Sequence, residues 1–538
     1  MHANNKVVIV GAGMAGLTAG AYLTRQNYNV LLLDKNDRTG GLVHTFERDG
    51  FFFDAGPRAF VNSGMVKPIM NDLGIDWEVL NNAISIAIED LLFRVDSLDT
   101  IHEYKRILLD LYPENAGDIK KIISSIADLS KYTKVLYEFD NPNFVDYMSD
   151  KKVLWKELLP WSFKFLQALR KFNQYNMPME EFLKGLTDNQ SLIDILTQFF
   201  FRQTPTYFAL GYFYVYLDYF YPKQGTAMLP TLLHEKILDE GGKIKLNTQI
   251  TKVIPSESKV EDVEGNHYKY DHLIWAADLK TLYQKIDPTG LGHNIMKKLQ
   301  AQSQNVLSSK AAESVFILFV AVNRPPSYFQ EKGGEHMFFT PAKRGLGDTN
   351  RGAKEQLLKD FDKRTKEEIL TWLDDFCQLN TFEVSVPALR DPTLAPEGKT
   401  GLMISCLFDY EIFDKINEAG WHDEFKKEVE NRLIRIFSQT IYLGLEDDVL
   451  FQFSTTPLTI HKMTGNSAGA IVGWSFETPA PVAHKLKDIP KSVLTPIPEI
   501  YQASQWAYAP AGVPIAMLTG WNAAQKIIKQ SKKNRRSK

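Results

Sequence analysis

Apolar runs and glycine turns alternate at the amino end in a pattern that predicts a strand, a helix and a second strand. Lys6-Val-Val-Ile-Val10 is short, β-branched and closed by glycine, as expected of a buried parallel strand. Gly11-Ala12-Gly13-Met14-Ala15-Gly16 follows, then a helix-like stretch from Leu17 to Gln26, then the buried run Val30 to Leu33 ending on Asp34. Helical spacing returns from Leu229 to Glu240 and gives way at Gly241-Gly242 to a strand-like Lys243 to Asn247. An alternating, hairpin-like excursion through Ile250 and Val253 then leads to another buried strand within Asp271 to Asp278. Between residues 151 and 172, Trp155, Leu158, Leu159, Phe163, Leu166 and Leu169 recur three and four apart, the spacing of an amphipathic helix. Gly345 to Asp375 is dense in charge and reads as a solvated helical face. The aromatics Phe199-Phe200-Phe201 and Tyr207 through Tyr221 read as core, or as the wall of an apolar tunnel.

With 538 residues, 44% of them hydrophobic, the chain can bury a large core, which excludes a disulfide scaffold and wholesale disorder. Its length suits three to four domain-sized units or two large interleaved ones. Charge is nearly balanced, 62 Lys and Arg against 65 Asp and Glu, without the basic excess of a nucleic-acid binder. Cys377 and Cys406 have no companions at metal-ligand spacing, so two reduced, buried thiols and no metal are expected. No signal peptide precedes Val7, and the uncharged stretch Gln203 to Leu217 falls short of the ~20 residues of a spanning helix. The expected location is cytoplasmic, or peripheral on the inner face of a membrane. The window Lys151 to Phe172 holds six basic residues and one acid, which suits a membrane interface as well as an ordinary helix with solvated lysines. The acid-free end from Lys526, and residues 531–538 above all, reads as a disordered basic tail.

The glycines of the first turn each answer a physical need. Gly11 permits the tight turn, Gly13 lets a pyrophosphate approach the backbone, and Gly16 lets helix and strand pack closely. The helix N-terminus offers free N–H groups to the phosphates. Asp34, 18 residues after Gly16, is placed to accept hydrogen bonds from a ribose diol. An adenine dinucleotide is therefore expected here.

Arg38-Thr39-Gly40-Gly41-Leu42 and Gly50-Phe51-Phe52-Phe53-Asp54-Ala55-Gly56-Pro57 resemble the glycine-doublet flavoproteins, which implies FAD. Tyr221-Pro222-Lys223-Gln224-Gly225-Thr226 and the strand ending Ala276-Ala277-Asp278 look like the second FAD segment of phytoene desaturases. Asp391 to Gly398 is similar to a carotenoid-desaturase run. Thr456-Pro457-Leu458-Thr459, with Gly465 and Ser467 to Ala470, looks like that family's late strand and turn. Pro510-Ala511-Gly512-Val513-Pro514 resembles its closing motif. On these residues, from 6 to about 528, the chain resembles the phytoene desaturase, carotenoid isomerase and retinol saturase superfamily.

That resemblance implies an α/β fold with a Rossmann-like FAD-binding domain, a parallel sheet assembled from residues 1–75, 222–290 and 490–530. It also implies an α+β substrate domain with a mixed sheet and helical cap, built from 76–221 and 291–489, with 151–221 its helical, membrane-facing part. The implied FAD contacts are Gly11, Gly13, Met14, Ala15 and Gly16, then Asp34 and Lys35. The doublet adds Gly40, Gly41 and Leu42, and the next turn Gly56, Pro57 and Arg58. Ile250 would meet the adenine, Ala277 would follow the later strand, and Gly512, Val513 and Pro514 would open the closing helix. Two departures stand out. Leu42 replaces the usual arginine, in a Leu42 to Phe46 run closer to the retinol saturase version. Ala503-Ser504-Gln505-Trp506 replaces a glycine-richer pattern.

With no nucleophile set, metal cluster or kinase signature, the difficult chemical step falls to the cofactor. The expected activity is hydride transfer between flavin and a long apolar polyene, giving desaturation, saturation or isomerisation. The alternatives are a flavin amine oxidase and a non-catalytic lipid-binding protein on the same fold, as in the GDP dissociation inhibitors. No catalytic residue stands out; His44, Asp54 and Arg58 lie near the flavin by resemblance, each read first as a turn hydrogen bond or phosphate partner.

Overall fold

Lys6–Val10 (β1), Met14–Thr24 (α1) and Asn29–Leu33 (β2) form the strand, helix and strand that the apolar pattern predicts. The computed structural model describes residues 5–137, 139–145 and 151–536. α1 starts at Met14, before the expected Leu17, because Gly13 is its extended N-cap. β1 lies between β2 and His272–Trp275; Lys243–Lys245 extends the sheet beyond β2, and Ile500–Gln502 extends it beyond Trp275. All four pairings are parallel, so both faces must be covered. One face packs on α1, Met228–Asp239 and the closing helix Val513–Arg536. The other packs on a three-stranded antiparallel sheet from the 250–269 excursion and on Trp474 and Trp506.

The second sheet has seven strands and is mixed. In spatial order they are Val449–Thr455, Ser314–Val322, Thr400–Phe408, Phe382–Ser385, His336–Thr340, Ile84–Ile88 and Leu91–Val95. The 336–340 and 84–88 strands run parallel; the other neighbours are antiparallel. Alternation along each strand divides the residues between two faces. Leu318, Ile404, Val384 and Met337 pack under the helices Lys366–Leu379 and His422–Gln439. Phe319 and Met403 meet Phe51 and Phe53 of the hairpin formed by Thr45–Arg48 and Phe51–Asp54. A helical part, from Ile101 through Val215, closes on the 84–95 end of this sheet.

Several sequence expectations change here. The charge-dense 345–375 stretch is not simply a solvated face. Its helix Lys366–Leu379 drives Ile369, Trp372 and Leu373 into the core, and buried Lys354 pairs with Asp409 at 2.6 Å. Thr456 does not continue a strand: it caps the helix Pro457–Thr464 through a reciprocal bond with Thr459. The expected tail is helical through Arg536, continuing the closing helix; Ser537 and Lys538 lie outside the described residues. Phe213 and Tyr216 are core residues, with a gap of about 50 Å³ between them, Phe199, Phe200 and Phe338, so packing rather than a long tunnel predominates. In the helix Leu159–Gln174 and the turn before it, half of the apolar set faces outward: Trp155 is 68% exposed, Phe163 65% and Leu166 54%, while Leu158, Leu159 and Leu169 are half-buried. Among the described residues no helix is long and apolar enough to cross a membrane.

The helix α1 is held tightly against the turn after β1 at Gly16, where an added Cβ would collide with the backbone oxygen of Gly11. Backbone cannot swing aside as a side-chain end can. Gly16→Ala is expected to cost about 1–3 kcal/mol, read as a lower midpoint of thermal unfolding.

Candidate cofactor site

The site opens at the carboxyl ends of β1 and β2. Gly11 turns the chain at φ +107, its N–H bonded to the Leu33 carbonyl at 2.8 Å; a Cβ there would stand 2.8 Å from the Ala276 oxygen. Gly13 faces open space on its Cβ side, and no side chain caps α1. The first N–H groups of α1 are thus left for an anionic ligand. The glycine doublet lies against this loop. Gly40 donates to the Ala12 carbonyl at 2.8 Å, and a Cβ on Gly41 would stand 3.2 Å from the Gly13 Cα. Asp34 accepts the N–H of Ala12 at 2.6 Å and of Asn36 at 2.8 Å. Burial pushes its carboxyl above the usual range despite those bonds.

These groups border one cavity of about 460 Å³, within the range of roughly 300–1,000 Å³ usual for ligand sites. Gly11, Gly13, Met14, Ala15, Asp34 and Lys35 line one end of it. Gly40, Gly41, Leu42, Gly56, Pro57 and Arg58 line its middle wall, and Ile250, Ala277, Gly512 and Val513 come from the later segments. Two expected contacts do not line it. Gly16 lies under the Gly11 carbonyl, where its service is to packing, and Pro514 stands in the first turn of the closing helix, turned from the cavity. Ser504, in the segment that lacks the usual glycines, nevertheless sits at φ +147, where glycine is favoured. Its N–H donates to Thr519 at 3.1 Å, and its hydroxyl donates to the Ala277 carbonyl and accepts from the Trp506 N–H. The loop keeps its glycine-like path through these bonds.

The three candidates for proton chemistry take structural places. Asp54 is fully buried and accepts from the hydroxyls of Thr45, Tyr221 and Thr226 and from the Thr226 N–H, at 2.6–2.9 Å. It ties the 45–54 hairpin to the 221–226 segment. Burial, with the charge of Arg38, pushes His44 down to about 4, so it is neutral at pH 7. Arg58 donates to the carbonyls of Asp54 and Gly56, both at 2.7 Å, and its buried Nε has no protein partner.

Among the lining residues that escaped the sequence reading are Val315, Ile317, Glu383 and Ser405, all from the mixed sheet. The alternation Phe382-Glu383-Val384-Ser385 carried the signal, since it sets a carboxylate on the face opposite two core residues. The whole lining fits FAD. An uncapped helix end and an open Gly13 suit the pyrophosphate, and Asp34 suits the ribose. The unpartnered Nε of Arg58 gives the same wall a spare donor. Gly13→Ala meets no protein atom within 4 Å. It is expected to leave the unfolding midpoint of FAD-free protein unchanged while lowering the flavin absorbance retained per chain after gel filtration.

A profile of the family "Flavin containing amine oxidoreductase" matches residues 14–528. The chain is similar to the 4,4'-diapophytoene desaturase (4,4'-diaponeurosporene-forming) of Staphylococcus aureus strain COL, 20% identical over 542 residues, covering 97% of this chain and 99% of that one. Its fold is similar to an oxidoreductase from Methanosarcina mazei, with a TM-score of 0.59 at 13% identity, covering 97% of this chain and all of that one. It is also similar to putrescine oxidase bound to putrescine, with a TM-score of 0.58 at 14% identity, covering 98% and 99%. With the profile spanning nearly the whole chain and the cavity built to hold FAD, the protein belongs to the flavin-containing amine oxidoreductase family and is an FAD-dependent oxidoreductase.

Proposed function

We propose that the substrate is a long apolar isoprenoid polyene, changed by desaturation, saturation or isomerisation. The observation that carries this reading is the wall beyond the doublet, where Val43, Val315, Ile317 and Ile460 give a ligand shape and apolar surface with few polar grips. The full-length similarity to a diapophytoene desaturase supports it. Bound FAD supplies hydride acceptance or donation. The protein's part is to hold one carbon of the chain near the ring and to exclude water. Residues 1–75, 222–290 and 490–530 are proposed as the FAD-binding domain, because all five strands of the parallel sheet come from them. A second reading, a flavin amine oxidase, draws on Glu383, a carboxylate in the cavity able to face an ammonium group. Arg58, on the same cavity, already offsets that charge, which favours the polyene.

The test is anaerobic mixing of the yellow holoprotein with 4,4'-diapophytoene, other carotenoids and retinol. Bleaching of the flavin bands with formation of a longer chromophore is the expected result for desaturation; for saturation, protein first reduced with dithionite is expected to regain its flavin bands as a shorter chromophore forms. Peroxide release with putrescine, without any change in polyenes, would move the chain to the amine oxidases. Protein that is colourless and takes up no FAD would leave only lipid binding.

We further propose that the outward face of the 154–174 helix rests on a membrane. Trp155, Phe163 and Leu166 are exposed there, among exposed Lys156, Lys164 and Arg170, an arrangement suited to an anionic lipid surface. Wild-type protein is expected to float with phosphatidylglycerol vesicles in a density gradient. The W155A/F163A/L166A variant is expected to stay at the bottom with its FAD retained; equal flotation of both would sink the proposal.

A further inference from the structure

The mixed sheet shows an oddity on the face turned to the cofactor cavity. On its helix-covered face the central strands carry Phe382, Val384, Ile404 and Leu318, all apolar and buried. On the other face, paired positions across three strands are Glu383, Ser405 and Ile317, and one pleat along lie His336 and Ser385. Glu383 stands in the middle strand of the seven, yet its side chain is 33% exposed, because it opens into the cavity. A carboxylate at such a place costs desolvation energy, so its retention calls for an explanation.

Its neighbours fix both its charge and its direction. His336, fully buried, sets Nε2 2.9 Å from one Glu383 oxygen and Nδ1 3.1 Å from the side-chain nitrogen of Asn82. The Asn82 amide donates to Nδ1, which leaves the ring proton on Nε2, directed at the carboxylate. Burial pushes His336 down, so the ring is neutral. Burial alone would raise the Glu383 carboxyl, but the His336 hydrogen bond and the Arg58 charge outweigh it and hold the group below its ordinary range. The other ionisable groups around it are Arg390 and the hydroxyls of Tyr212, Tyr216 and Tyr219, which burial keeps protonated. One carboxylate oxygen is thus anchored by His336. The other has the Ser405 hydroxyl, at a long 3.3 Å, as its contact on the cavity side.

We propose that Glu383 accepts the proton of the reaction, or returns it in the reverse direction, and that His336 and Asn82 are its positioning residues. The proposal rests on the hydride-transfer reading of the site. In desaturation, one hydrogen leaves its carbon with both bonding electrons and goes to the oxidised flavin, which is the oxidant. The hydrogen on the adjacent carbon leaves as a proton to Glu383, and the electron pair of that second C–H bond becomes the new π bond. Saturation runs the same balance backwards. A carboxylate held ionised in an apolar site is a base already in its working state.

The competing role is neutralisation of buried Arg58. Glu383→Asp separates the two, since it keeps the charge beside Arg58 and withdraws the oxygens by one methylene. Glu383→Gln removes the charge as well. In holoprotein assayed with 4,4'-diapophytoene, both variants are expected to keep FAD and to lose turnover by about 10²-fold or more at little-changed KM. Wild-type turnover in Glu383→Asp would overturn the proposal, and this arm stands even if Glu383→Gln fails to fold. A second readout needs no substrate: the midpoint potential of bound FAD measured from pH 5 to 8. Wild type is expected to take up a proton at Glu383 on reduction, adding to the pH slope; Glu383→Gln should lose that part and show a higher potential. Identical potentials would place Glu383 away from the flavin and overturn the proposal. Wild-type protein inert toward every polyene would refute the substrate reading instead, with the potentials still deciding Glu383.

Discussion

The carbonyl of Gly11 occupies the place where any side chain on residue 16 would begin, and the cofactor cavity depends on that contact. With α1 drawn this close to the end of β1, the N-terminal turn of the helix faces the gap between β1 and β2. The doublet can then lean on Gly13, and Gly40 can bond to Ala12. On the far side Gly520 repeats the device: a Cβ there would collide with the backbone of Ala15, so the closing helix too lies directly on α1. Two helices and a sheet edge meet within backbone contact, and the one opening left among them is shaped for phosphates.

The cavity's other wall comes from elsewhere in the chain, and Asp54 holds the parts in register. Four donors, from Thr45, Tyr221 and Thr226, converge on its carboxylate, so the hairpin and the 221–226 segment share one buried hub. A buried carboxylate that accepts four hydrogen bonds contributes position rather than reactivity. This is why a residue close to the flavin by resemblance takes no chemical part, and why Arg58, hung from the Asp54 carbonyl, can project toward the cavity.

The cofactor half was legible because its demands are local. A tight turn, a close approach and an acidic strand end each require particular residues at fixed spacing, and Gly11, Gly13, Gly16 and Asp34 supply them. The substrate half was less legible because its demands are set by partners distant in sequence. Glu383 reads as one more charged residue until the sheet sets it opposite Ser405 and beside His336. The 345–375 stretch misled through charge: its helix buries one face, and buried Lys354 has its counter-ion 55 residues away in Asp409. Thr456 misled for the opposite reason, since a β-branched residue before proline is as well suited to cap a helix as to extend a strand.

The two departures from the family pattern then fall into one account. Where related chains place arginine after the doublet, Leu42 adds apolar surface, while a guanidinium comes to the cavity from Arg58 on the next turn. Where they place glycine near the closing helix, Ser504 keeps the glycine-like backbone by bonding to Thr519, Ala277 and Trp506. At Ser504 the chain keeps a physical requirement, a positive φ, and changes the residue that meets it. The presence of Arg58 on this cavity has a chemical consequence. It sets positive charge where Glu383 lines the cavity, and so helps keep that carboxylate ionised in surroundings that would otherwise protonate it.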